Sequence, residues 1–195
     1  MNPPFHQHEG LAVGLLRDHI DTDAIIPSRE MKGVGKTGLA EGLFANWRYR
    51  DPATREPEPG FVLNQHPQAS ILLAGRNFGC GSSREHAVWA LKEWGIRVVI
   101  APSFGAIFFD NCIRNGLLPL VLTAPLATPQ RLRIDLDALT VQEADGSLHR
   151  FSLDDEPRDL LRSGLDPVAL TLAQQGDALA AFEAHDRQQQ PWLYL

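Results

Sequence analysis

Two cysteines, Cys80 and Cys112, are all that the 195 residues carry. They are too few for a disulfide framework, and their separation excludes C-x-x-C redox spacing. By the same count they cannot supply the cysteine ligands of an iron–sulfur cluster. Long apolar runs are also missing: no stretch approaches the roughly 18–20 apolar residues of a membrane span. The opening MNPPFHQHEG has neither a basic region nor an apolar region of the secretory type. An excess of basic charge is lacking as well, with 18 Lys and Arg against 24 Asp and Glu and a net charge of −6. Nucleic acid and anionic membranes are therefore not expected as partners, and an anionic ligand would need a local site. These absences together predict a cytoplasmic, reduced protein.

What is present is ordinary globular text: 44% hydrophobic and 22% charged residues, enough for one domain over 1–195 with a real core. LAVGLLR (11–17), SILLAG, RVVIA (97–101) and LLPLVL read as strands. Residues 83–94 have helical periodicity, with Ala87, Ala90, Leu91 and Trp94 on one face. Ser103 is placed to cap a second helix that carries Phe104, Ile107, Phe108 and Cys112 and stops at Asn115-Gly116. LRIDLD, LTVQE and HRFSL alternate like antiparallel strands. Asp166-Pro167 opens a helix, and Gly176-Asp177 is expected to separate it from a last one. The fold class is α/β with a mixed sheet. Residues 28–60, glycine-rich and then proline-rich, are expected to form a long mobile loop with a short element around LFANWRY.

The chemistry concentrates in GRNFGCGSSREH at 75–86, between a strand and a helix. A helix N-terminus attracts carboxylates and phosphates. Gly79 and Gly81 allow close backbone approach, and Arg84 adds a planar charged fork suited to a carboxylate. A second reading is purely local: Ser82-Ser83-Arg84-Glu85 fits the S-x-x-E capping box, with Ser82 as cap and Glu85 reaching back. The two are compatible if one serine caps and the other faces a ligand.

Other candidates read as structural. GVGKTG (33–38) is no P-loop, because the required first glycine position holds Glu30 and no strand leads in. Asp18, Asp21 and Asp23 lack the glycine and glutamate of a calcium loop and read as local acceptors, so no metal site is expected. His6 and His8 fall in a terminus expected to fray. His86 reads equally as a packed or a surface residue. Cys80 reads as a small residue in a tight loop.

DTDAIIP (21–27), NFGCGSSREHA (77–87) and APSFGAIFFDNCIRNGLLPL (101–120), in this order, resemble the small subunit of 3-isopropylmalate dehydratase. That subunit is similar to the swivelling domain of the aconitase superfamily. The resemblance covers nearly the whole chain, including LFANWRY and GLDPVALTL. It implies a β/β/α swivel domain in a two-chain hydro-lyase that isomerises 2-isopropylmalate to 3-isopropylmalate in leucine biosynthesis. The separate large subunit would carry the 4Fe–4S cluster, and this chain, inactive alone, would bind none. The resemblance makes Ser82 the catalytic base. It assigns Ser83 and Arg84 to the dicarboxylate substrate, and makes Asp23 a supporting acid. Lys36 stands where relatives typically have an arginine, so a point charge replaces a bidentate fork. Met31 and Val34, in the 31–39 region, are expected to line the pocket for the substrate's branch. Sister activities on citraconate or homoaconitate, and a non-catalytic carboxylate-binding module, are the alternatives.

Overall fold

The computed structural model describes residues 2–31 and 35–194; Val34 therefore lies outside the described residues. In chain order the elements are β1 (Gln7–Leu15), α1 (Thr22–Ile25), α2 (Ala45–Arg48), β2 (Tyr49–Asp51), β3 (Glu56–Pro57), α3 (Val62–Gln65), β4 (Ile71–Ala74) and α4 (Glu85–Trp94). They continue as β5 (Val98–Ala101), α5 (Ala106–Arg114), β6 (Leu118–Val121), β7 (Gln130–Asp135), β8 (Thr140–Gln142), β9 (Leu148–Arg150), α6 (Asp155–Ser163) and α7 (Pro167–Gln189).

One mixed sheet has the order β6-β5-β4-β1-β7-β8-β9. β1 is its seam: it pairs parallel with β4, Ala12 opposite Ile71, and antiparallel with β7, Gln7 opposite Asp135. β4 (ILLA) and β5 (VVIA) are buried at every position, as parallel strands covered on both faces must be. Alternate residues feed two cores. Val13, Leu72, Ala74 and Val99 pack under α4, while Ala12, Ile71, Leu73 and Ile100 pack with Leu160 and Leu161 of α6. Pro119 sits in β6 without breaking the sheet because β6 is an edge strand.

Several expectations change. His6 and His8 do not fray: His8 belongs to β1 and meets Ser70 Oγ at 2.8 Å, and His6 meets Asp137 at 3.2 Å. The pairing partners, more than 60 residues away, are invisible to a local reading. Ser103 is not a helix cap. Its hydroxyl accepts from the Asn77 N–H at 2.9 Å, and α5 starts later, after Gly105. Ile107 consequently faces solvent, 53% exposed, while Phe108 and Cys112 go inside. Gly176 does not divide the last helix; α7 runs through it, opened by Asp166, whose side chain accepts from the Ala169 N–H at 2.8 Å. A single interior glycine costs only about 1 kcal/mol, too little to end a helix. α6 went unread because its apolar content is concentrated in Leu160 and Leu161.

The segment 28–60 carries more fixed structure than its composition suggests. Leu39, Leu43, Phe44, Ala45 and Tyr49 all enter the core, and β2 pairs with β3. Its centre is Arg48, only 2% exposed. The guanidinium donates to Ala40 O at 2.9 Å and Glu41 O at 2.6 Å, bonds Tyr49 Oη, and lies over the Trp94 ring. Nearby, Glu30 is buried in an ion pair with Arg55 at 2.5 Å.

Candidate active site

Three loops leave the carboxyl ends of β1, β4 and β5, the ends at which open α/β sheets present ligands. They stay knitted after the strands stop. Gly79 N–H donates to Ile20 O at 2.7 Å and Thr22 N–H to Cys80 O at 2.9 Å. Phe78 N–H donates to Ser103 O at 3.1 Å, and Gly105 N–H returns to Phe78 O at 2.9 Å. Asp18 ties the first loop to the second through the Arg76 N–H at 2.7 Å and two guanidinium bonds at 2.8 and 3.0 Å. Those guanidinium bonds hold the Asp18 carboxyl below its ordinary value.

Gly79 serves this floor by packing, not by admitting a ligand. Its φ is +74°, and a Cβ there would lie 2.1 Å from the Phe108 ring. Gly79→Ala is therefore expected to cost about 3 kcal/mol, the sum of a left-handed backbone and an overpacked ring. A urea melt showing less than about 1 kcal/mol would contradict this role.

The capping-box expectation is corrected. α4 begins at Glu85, its N-cap is Arg84, and no side chain caps it. Glu85 does not reach back; its carboxylate accepts from Asn115 Nδ2 at 2.6 Å, and Asn115 Oδ1 accepts from Trp89 Nε1 at 2.9 Å. The long-range partner outcompetes the local one, and Ser82 is left outside the helix.

The three residues of Asp21-Thr22-Asp23 then do three different jobs. Asp21 caps α1, accepting from the Ala24 N–H at 2.7 Å. Thr22, 2% exposed, brings its Oγ1 to 3.3 Å from Ser82 Oγ and donates to Ser82 O at 3.1 Å. Asp23 forms an ion pair with Arg84. Ser82 and Ser83 are both exposed, and among the described residues nothing hydrogen-bonds the Ser83 hydroxyl. An exposed serine oxygen backed by a buried hydroxyl, beside a guanidinium oriented by a carboxylate, makes a corner suited to a carboxylate ligand. Thr22 is the member that sequence reasoning missed; its place between two acids was the only signal.

Lys36 lies against the helix that follows this corner. Its Nζ lies 4.9 Å from the Trp89 ring centroid, five residues along α4 from Arg84 and so about 7.5 Å along the axis. Met31 packs, partly buried, against the core. His86 lies against Trp89, with ring centroids 4.7 Å apart. The chain's donors do not fit an iron–sulfur cluster: Cys112 is wholly buried and its thiol is pushed well up by that burial, which leaves Cys80 alone.

Residues 2–125 match the family of the aconitase C-terminal domain, and residues 168–194 match that of the C-terminal domain of 3-isopropylmalate dehydratase small subunits. A 3-isopropylmalate dehydratase small subunit of Cupriavidus necator is 55% identical, with 98% of each chain covered. This chain belongs to the 3-isopropylmalate dehydratase small-subunit family. A small subunit of the same name from Methylibium petroleiphilum is 44% identical over 97% of this chain and 96% of its own. The crystal structure of a 3-isopropylmalate dehydratase from Methanocaldococcus jannaschii superposes with a TM-score of 0.68 at 29% identity, covering 91% of this chain and 99% of that one. The small-subunit family is an aconitase-type hydro-lyase component, and its name implies a large-subunit partner. The small-subunit fold thus carries the Ser82–Arg84 corner on the loop between β4 and α4. Among the described residues no helix is long and apolar enough to cross a membrane.

Proposed function

We propose that this chain completes the active site of a 3-isopropylmalate dehydratase, interconverting 2- and 3-isopropylmalate by dehydration and rehydration in leucine biosynthesis. Its partner is the large subunit, in which a 4Fe–4S cluster is expected. Ser82 Oγ takes the proton from one substrate carbon as the adjacent carbon loses its hydroxyl, and on rehydration, when water adds its hydroxyl to the first carbon, it returns a proton to the adjacent one. Arg84 and Ser83 hold a substrate carboxylate, with Asp23 fixing the guanidinium in place.

The observation that carries this reading is the contact of Thr22 Oγ1 with Ser82 Oγ at 3.3 Å. A serine hydroxyl is too weak an acid to serve as a base at neutral pH unless its alkoxide is stabilised. The Thr22 hydroxyl, which donates to Ser82 O, is close enough to turn its proton to Ser82 Oγ once that oxygen is deprotonated, and Arg84 adds fixed positive charge two residues on.

The test is anaerobic mixing with the cluster-bearing large subunit, following hydration of isopropylmaleate and citraconate. Activity only in the mixture, favouring isopropylmaleate, is expected. Preference for citraconate or the homoaconitate series would keep the base and change the substrate. No complex and no activity, with an intact cluster, would leave a carboxylate-binding module without catalysis.

A further inference from the structure

The carboxyl ends of β1, β4 and β5 have two sides. On the α4 side they carry the loop with Ser82–Arg84; on the α6 side they frame a recess of about 180 Å³. Leu73 and Ile100, each 4% exposed, form its floor, and Leu16, Pro102 and the 122–126 segment after β6 form its walls. Of the described residues that line it, only Thr123 has a polar side chain and none is charged. Leu16, the first residue after β1, stands 67% exposed on the rim.

A second hollow, of about 280 Å³, shares Pro102 and continues over Phe104, Phe109 and Val121. Phe104 meets Phe78 edge to face, with ring centroids 6.3 Å apart, and Phe78 precedes Gly79 in the floor of the Ser82 corner. Apolar surface therefore runs from Leu16 to the floor of the site.

Water is a poor occupant of the recess, because a single polar side chain offers it too few partners. An apolar cavity of about 150 Å³ stays dry and accepts a benzene-sized group, so this one has room for one leucine- or phenylalanine-sized side chain. The proposed site brings such a side chain within reach. A specific interface covers about 800 Å² of each partner, a patch roughly 30 Å across. The three strand ends span only about 10 Å at their usual spacing. A large subunit laid over Ser82–Arg84 thus overruns the strand ends and meets the recess. Its uncharged lining also suits the centre of an interface, where charge is depleted and a few apolar anchors carry most of the affinity.

We infer that this recess is a socket for an apolar side chain of the large subunit, with Leu16 on its rim. It anchors the partner on the opposite side of the strand ends from the Ser82 corner. The inference rests on the functional reading above, which brings the large subunit to that corner.

The test is calorimetric titration of the full-length chain with the cluster-bearing large subunit, in the absence of substrate. Leu16→Asp puts a charge on the rim and is expected to raise Kd at least tenfold. Leu16→Met keeps the rim apolar and should stay within about twofold of wild type. Leu16 is already exposed, so Tm should hardly move in either variant. A Kd for Leu16→Asp within about twofold of wild type overturns the inference.

Methyl NMR reads the socket without any substitution. The Leu73 and Ile100 methyl signals of the wild-type chain should shift when the large subunit is added, and unmoved signals in a complex that forms overturn the inference. Self-association of the isolated chain that Leu16→Asp abolishes, with the affinity for the large subunit unchanged, would assign the patch to a second copy and overturn it as well. Should the complex form yet hydrate neither substrate, the functional reading falls while Kd and the methyl signals still judge the socket. Failure of the wild-type chains to associate overturns both.

Discussion

Ser82→Ala is expected to lower kcat of the assembled enzyme about a thousandfold, within the range that a positioned general base contributes. KM should change little, since Arg84 and Ser83 still hold the carboxylate. The fold should be nearly untouched. Ser82 precedes the helix and caps nothing, so the penalty of about 0.5–2 kcal/mol for a lost serine cap does not apply. What goes is one long contact to Thr22 at 3.3 Å, and hydrogen bonds of this kind contribute about 1 kcal/mol at most. Stopped-flow turnover and a urea melt on the same preparation separate the two effects. A fully active Ser82→Ala complex would remove the proton-transfer role, whereas a large stability loss with normal turnover would restore the capping reading.

Arg48→Met should be the most damaging single change in the 28–60 segment, costing about 3–5 kcal/mol. Methionine fills similar space against Trp94 but donates nothing. Ala40 O loses its guanidinium donor and Tyr49 Oη loses its charged neighbour, while Glu41 O keeps Arg55 at 2.9 Å and Tyr49 Oη at 3.1 Å. Ala40 O still accepts from the Leu43 N–H at 3.2 Å, so the cost is that of the buried guanidinium's own charge-assisted bonds, which exceeds that of a surface ion pair. For a chain of this length the drop in Tm is about 10 °C. The same substitution should loosen the Gly38–Ala40 turn, whose amides donate to the Glu93 carboxylate, since the guanidinium that braces its carbonyl side is gone. A Tm within about 2 °C of wild type would show that the stacked rings, not the charge, hold this segment.

The sequence by itself determined those features that repeat within a few residues. Continuous apolar runs marked β4 and β5, and 3.6-residue spacing marked α4 and the buried side of α5. Asp166-Pro167 marked the start of α7. The ordered motifs around Asp23, Ser82 and Phe108 marked the family, because such motifs are strings and survive without coordinates. Two cysteines are too few to ligate an iron–sulfur cluster, and that follows from the count alone.

Tertiary structure alone decided which partner each polar group chose. Glu85 fits a capping box in sequence yet bonds Asn115, thirty residues away; Ser103 looks like a cap yet bonds Asn77. Thr22 reaches Ser82 across sixty residues, Asp23 reaches Arg84 across sixty-one, and the amides of Gly38–Ala40 reach Glu93 across more than fifty. Composition made residues 28–60 look loose because its glycines and prolines are conspicuous. The buried Arg48 and the Glu93 carboxylate tie much of it down through backbone atoms that no sequence pattern spells out, and Glu30 adds its ion pair with Arg55. The physical reason is common to all of these cases. Hydrophobic periodicity is a property of neighbours along the chain, whereas a hydrogen bond is won by whichever donor the finished fold brings within about 3 Å.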